Sequence, residues 1–235
     1  MKYSWILLDA DNTFFDYDKL ESYALSFALN AAGYGGDFNE ALFIYRRVNK
    51  VCYEKYQSGI LTLNQFRLQR AKTFLNLLGI SAPLAAFSNT YLRYLTKTGA
   101  MLPHAFDVCR LLSEHCQIMM ITNGVSKVQQ VRFDNAEIRP FCKDIVIADE
   151  VGYSMPTGNM FDAAFERMGF PDKEEVLMVG SAIDEHVIGG SRYDIDTCWV
   201  NLNQQSPEST DFDYEINSVD QLLDVVFDKV SSLHH

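Results

Sequence analysis

One short apolar run stands alone near the start of the chain, and four more recur in its second half. The first is Trp5-Ile6-Leu7-Leu8; the others are Ile118–Ile121, Asp144–Ile147, Val176–Val179 and Thr197–Val200. Runs this brief suit strands buried on both faces of a parallel sheet. Helical spacing separates the later runs, over Ala105–His115, Lys127–Asn135, Met160–Met168 and Val187–Tyr193. A last helix is predicted over Ser218–Leu233, with Leu222, Leu223, Val226 and Val230 on one face. Repeated strand-helix units require a parallel sheet covered by helices on both sides. Between the first run and the second, no strand pattern occurs. Leu20, Ala24, Phe27, Ala28 and Ala31 form a helical stripe there. Gly33, Gly35, Gly36, Gly59, Gly79 and Pro83 divide the stretch into roughly four helices. The predicted fold is therefore α/β, a Rossmann-like doubly wound parallel sheet built from residues 1–16 and 99–235. An all-helical domain, residues 17–98, is inserted after its first strand.

Composition narrows the function. The chain has 235 residues, 48% hydrophobic and 22% charged, which excludes a disordered or fibrous protein. With 20 basic and 31 acidic residues, its net charge is −11. Such a surface repels phosphate backbones and anionic lipid, so neither a nucleic acid polymer nor a membrane is an expected partner. The five cysteines are odd in number and none has C-x-x-C spacing. They read as buried thiols in a reducing compartment, not as a zinc site. The N-terminal apolar run is too short for a signal peptide, and no run approaches the ~18 residues of a membrane helix. Cytoplasmic location is expected.

In open α/β sheets the ligand lies beyond the carboxyl ends of the strands. Asp9, Asp11 and Thr13 follow the first strand. Thr122, Asn123 and Gly124 follow the second, and Asp149 and Glu150 the third. Gly180 and Ser181 follow the fourth, with Asp184, Glu185 and His186 close behind. Two acids one residue apart past a buried strand crowd each other, so one can attack an electrophile while its partner moves protons. The same pair also suits an ordinary capped turn. Thr122-Asn123-Gly124 suits an oxyanion held by a hydroxyl and backbone N–H groups, or a plain helix N-cap. His104, His115 and His186 have no second ligand at useful spacing.

Asp9-x-Asp11-x-Thr13 with a distant strand-Thr122-Asn123-Gly124 resembles the haloacid dehalogenase superfamily. Its members are mostly phosphohydrolases with an aspartate nucleophile and magnesium. The resemblance extends over nearly the whole chain through Phe161-Asp162-Ala163-Ala164 and Val176–Gly180. Val48-Asn49-Lys50, Tyr56-Gln57-x-Gly59, Gln129-Gln130-Val131-Arg132, Ile188-Gly189-Gly190 and Thr197-Cys198-Trp199-x-Asn201 look like its bacterial nucleotidase branch, which acts on pyrimidine nucleoside monophosphates. The resemblance implies a small phosphomonoester substrate, Asp9 as nucleophile and Asp11 as acid and base. It implies Thr13, Thr122, Asn123 and Gly124 around the phosphate, with Asn49, Lys50 and Arg70 of the helical cap as further substrate contacts. It implies Mg2+ on Asp9 and Asp11, with Ser181, Asp184 and Glu185 at the family's remaining metal positions.

Two positions depart from that pattern. Met155, before Pro156, stands where the family has lysine. Ser181 stands where it has the metal aspartate, with Glu185 four and His186 five residues further on. A thioether cannot balance charge, and a hydroxyl is a poorer magnesium ligand than a carboxylate. A phosphohydrolase with impaired turnover is the expected function. A phosphate-binding or protein-interaction relative that has lost turnover is the alternative.

Overall fold

The computed structural model describes residues 1–97, 99–207 and 211–227. The chain divides into two compact units, residues 1–17 with 99–235, and residues 18–98.

The first unit holds a six-stranded, all-parallel sheet. Its strands are β1 (Trp5–Asp9), β2 (Gln117–Thr122), β3 (Cys142–Ile147), β4 (Val176–Gly180), β5 (Asp196–Val200) and β6 (Tyr214–Ile216). The order is β3-β2-β1-β4-β5-β6. Successive crossovers thus run to one side of β1 and then to the other, and β1 lies between β2 and β4. Every residue of β1 and of β4 is buried, as expected of strands covered on both faces. Leu7, Ile121, Val146 and Met178 pack on one side with Met155, Phe161 and Met168.

The second unit is a set of four helices: α1 (Tyr17–Ala31, beginning one residue before the unit), α2 (Phe38–Gln57), α3 (Leu63–Leu77) and α4 (Leu84–Leu95). Local chemistry sets two of their starts. Asp37 accepts from the Glu40 N–H at 2.8 Å, and Thr62 with Gln65 forms a reciprocal capping box. Tyr45, Phe74, Phe87 and Tyr91 fill the interior.

The remaining helices flank the sheet: α5 (Ala105–Ser113), α6 (Ser126–Asp134), α7 (Ala148–Val151), α8 (Gly158–Met168), α9 (Ile188–Arg192) and α10 (Leu222–Val226). Three details differ from the sequence reading. β6 is only three residues long, too short for a periodicity signal. The helix expected from Val187 is preceded by a widened, π-type turn over Ile183–Val187. The predicted last helix begins with a 3₁₀ turn at Val219, and its portion beyond residue 227 lies outside the described residues. Among the described residues no helix is long and apolar enough to cross a membrane.

Candidate active site

The strand order brings the carboxyl ends of β1, β2 and β4 together at the reversal of the winding, where α/β sheets bind ligands. Asp9 ends β1 and is in register with Ile121, so Thr122 is the next residue on the adjacent strand. Gly180 ends β4 and leads directly into Ser181.

Asp9 is buried, and both of its carboxylate oxygens have neighbours. The Thr13 hydroxyl donates to Oδ2 at 2.7 Å, and His186 Nε2 lies 3.3 Å from Oδ1. Burial pushes the Asp9 carboxyl well above the usual carboxylate range. The Thr13 hydrogen bond opposes that shift, while the nearby charges of Asp11 and Glu185 add to it. Thr13 is fully buried, and its oxygen also accepts from the Ser181 N–H at 3.0 Å. This hydroxyl is engaged by both Asp9 and Ser181.

The sequence placed His186 close behind β4, but not its contact with Asp9, which lies on another strand. The widened turn swings it back under β4, where its Nδ1 accepts from the Ala182 N–H at 3.1 Å. That hydrogen bond assigns the ring proton to Nε2, facing Asp9. Burial lowers the His186 pKa to about 3, so the ring is neutral. A Cβ on Gly180 would lie 2.4 Å from His186 Cβ; only glycine there lets the ring approach.

Asp11 is held from the opposite side. Gln129 donates to its Oδ2 at 2.6 Å, and Arg132 Nη1 lies 2.6 Å from Oδ1. Arg132 also donates to Gln129 at 3.3 Å. Its guanidinium is fully buried, over the rings of Phe15 and Tyr17 at 4.8 and 5.9 Å, and its Nε and Nη2 have no hydrogen-bond partner. Helical i, i+3 spacing sets Gln129 and Arg132 on one face of α6, within the segment that the family resemblance already marked. Gly124 makes room for this arrangement, since a Cβ there would meet the Gln129 side chain at 2.3 Å.

Thr122 accepts from the Gly124 N–H at 3.1 Å, and α6 begins only at Ser126, so Thr122-Asn123-Gly124 is a turn before the helix and not its cap. Asn123 receives the Met155 N–H at 2.8 Å and donates to the Met155 carbonyl at 3.0 Å and to Glu185 at 2.7 Å. The Met155 side chain is buried in the apolar cluster around Leu7 and Phe161. The Ser181 hydroxyl donates to the Asp11 backbone carbonyl at 3.3 Å. Asp184 is exposed. Asp149 and Glu150 turn instead to Ser126 at the start of α6.

In the helical unit, Lys50 is exposed and Arg70 is buried. Arg70 donates to Asn49 at 2.8 Å, and its guanidinium lies over Phe66, Tyr91 and Tyr45 at 4.7, 4.8 and 5.5 Å. It therefore belongs to the interior of that unit. Arg70→Met is expected to destabilise the protein by about 2 kcal/mol, from the lost hydrogen bond and ring contacts. Urea unfolding followed by tyrosine fluorescence checks this; a change under ~0.5 kcal/mol, the scatter of an ordinary surface site, rejects it.

A paired acid at the sheet reversal, steadied by threonine and flanked by Thr122-Asn123-Gly124, matches a known family. The model of haloacid dehalogenase-like hydrolases covers residues 3–193. The chain is a haloacid dehalogenase-like hydrolase. This hydrolase is 30% identical over 224 residues to pyrimidine 5′-nucleotidase YjjG of Escherichia coli K12, covering 94% of this chain and 97% of the relative. It is 24% identical over 226 residues to pyrimidine 5′-nucleotidase PynA of Streptococcus pneumoniae, 95% of each chain. Among solved structures, YfnB of Bacillus subtilis, determined bound to magnesium, superposes with a TM-score of 0.85 at 26% identity over 97% of this hydrolase and 100% of YfnB. L-2-haloacid dehalogenase of Xanthobacter autotrophicus shares the fold, with a TM-score of 0.77 at 16% identity over 97% of this hydrolase and all of that chain.

Proposed function

We propose that this hydrolase cleaves a small phosphomonoester, and that the substrate is a nucleoside 5′-monophosphate. The observation that carries the reading is the Asp9–Asp11 pair at the reversal of the sheet, with Thr122 on the neighbouring strand. The relatives named pyrimidine 5′-nucleotidases support the choice of leaving group.

The steps follow from the residues present. An Asp9 oxygen attacks phosphorus as the bond to the nucleoside oxygen breaks, forming an aspartyl-phosphate. Asp11 gives that oxygen its proton, then takes one from the water that attacks the same phosphorus. Inorganic phosphate leaves and Asp9 is restored. Thr13 holds the attacking carboxylate in one rotamer, which shortens the search for an in-line approach. Thr122, one residue beyond the register partner of Asp9, and the Asn123 N–H are the proposed donors to the developing charge. Asp11 must turn from Arg132 and Gln129 to reach the leaving oxygen, so these two side chains hold its resting position.

Magnesium belongs to the family, and the solved relative YfnB binds it. The donors of this chain do not suit it. Ser181 offers a hydroxyl already donated to the Asp11 carbonyl, Glu185 is engaged by Asn123, and Asp184 is exposed. Among the described residues no group of three or more acidic, histidine or cysteine side chains is placed to hold a metal. No step above runs through one.

A second reading, a nucleotide-binding relative without turnover, is favoured by the tight hold on Asp11. One experiment separates the two: phosphate release from a panel of nucleoside 5′-monophosphates, with and without magnesium, using Asp9→Asn as control. Release that requires Asp9 supports hydrolysis. Nucleotide binding in calorimetry without release supports the second reading.

A further inference from the structure

The family resemblance implies a divalent cation on two oxygens at the end of β1, from the Asp9 carboxylate and the Asp11 backbone carbonyl. Both are already approached by donors of this chain. The Ser181 hydroxyl donates to the Asp11 carbonyl at 3.3 Å. His186 Nε2 stands 3.3 Å from Asp9 Oδ1. Neither donor is placed by accident of a mobile side chain. His186 is buried, packed against Gly180 and fixed through Nδ1 by the Ala182 N–H. The Ser181 backbone is fixed on both sides, its N–H on Thr13 and its carbonyl receiving the Trp199 indole N–H at 3.1 Å.

With Nδ1 accepting, Nε2 carries a proton and presents no lone pair, so His186 cannot serve as a metal ligand in this orientation. The ring stands 3.3 Å from the oxygen a cation would need. Magnesium demands near-octahedral oxygen ligands and sheds water reluctantly. It would have to displace a buried ring in exchange for one carboxylate, one carbonyl and a hydroxyl.

We propose that Ser181 and His186 replace the cation, giving a metal-independent form of the site in which the Ser181 hydroxyl holds the Asp11 carbonyl and the buried His186 ring fills the place beside Asp9 Oδ1. Only the kinetic arm of the test rests on the hydrolytic reading above.

The probe is the metal alone. Manganese binding is followed by electron paramagnetic resonance, and magnesium binding by thermal unfolding, for the wild type and for Ser181→Asp/His186→Asp. The wild type is expected to show no saturable manganese uptake up to ~5 mM, a level at which oxygen-ligand sites of even modest affinity fill. Its melting temperature should move by less than ~1 °C in 10 mM magnesium. The double variant, with two carboxylates restored and the ring removed, is expected to gain about 5 °C, the shift of a site holding ligand at a hundred times its Kd. Saturable manganese uptake by the wild type that Asp9→Asn abolishes overturns the proposal. So does a folded double variant that binds no better than the wild type. If the double variant does not fold, the wild-type titration decides alone.

In the kinetic arm, wild-type phosphate release should be equal within ~2-fold in chelator and in magnesium, since no lost ligand enters its transition state. Loss of release in chelator overturns the proposal. Absence of release under both conditions counts against the hydrolytic reading, and the metal titration still decides this one.

Discussion

Asp9→Asn is expected to lower phosphate release from nucleoside monophosphates by at least ~10³-fold, because the amide offers no nucleophilic oxygen of comparable strength. The same change should be mild for the fold. Asp9 is buried, and burial disfavours its charged form, so a neutral isostere is relieved of that cost. Against this, asparagine has one acceptor where aspartate has two. His186 Nε2 is fixed as a donor by the hydrogen bond at Nδ1, so the amide oxygen should turn toward it. The amide NH2 then faces Thr13, whose hydroxyl loses its acceptor at a cost of about 1 kcal/mol. Activity and stability should therefore separate. Phosphate release measured beside a urea unfolding curve tests both halves. Residual release within ~10-fold of the wild type would remove Asp9 as the nucleophile, since truncating a group that reacts directly costs far more.

Asp11→Asn is expected to cost stability as well as activity, with a loss of about 3 kcal/mol in stability, because it leaves a buried guanidinium without its countercharge. Arg132 is completely enclosed, and Asp11 is the carboxylate paired with it. Gln129 and the rings of Phe15 and Tyr17 cannot neutralise a full charge. The partner change is gentler. Arg132→Met keeps most of the buried volume and leaves Asp11, whose side chain is 27% exposed, able to draw on water. Its cost should be about 1 kcal/mol, and Asp11→Asn/Arg132→Met should be more stable than Asp11→Asn alone by about 2 kcal/mol. Urea midpoints at constant slope measure all three variants. A single Asp11→Asn within ~0.5 kcal/mol of the wild type, or additive effects in the double variant, would show that the pair carries no such energy.

Much of the scaffold was legible because its signals are local. The apolar runs at Trp5–Leu8 and Val176–Val179 have the length and composition of strands buried on both faces, and they lie within β1 and β4. The helical spacing after residue 19 lies within four helices. β6 and the widened turn at Ile183–Val187 were not legible. A three-residue strand has no measurable period, and a π-type turn differs from an α-turn by one residue of hydrogen-bond register.

The acid pair was readable because both members follow one strand, so their proximity is a property of five consecutive residues. Their partners were not. His186 reaches Asp9 from the turn after β4, and Arg132 reaches Asp11 from α6, across 177 and 121 positions of sequence. Gln129-Gln130-Val131-Arg132 was visible as a family segment, but nothing in it says which carboxylate the guanidinium meets. Arg70 illustrates the same limit in the helical unit: the resemblance implied a substrate contact, and three aromatic rings from α2, α3 and α4 lie against it.

The sequence by itself determined the strand-helix alternation, the acids at the end of β1 and the two departures at Met155 and Ser181. These depend on side-chain type and short-range periodicity, which any chain carries in its order of residues. Tertiary structure alone decided what the departures mean. Met155 lies in the apolar layer beside Phe161, Ser181 turns its hydroxyl to the Asp11 carbonyl, and His186 faces Asp9. Those outcomes follow from the crossovers that set β4 beside β1, because hydrogen bonds and charges act over a few ångströms of space and not along the chain.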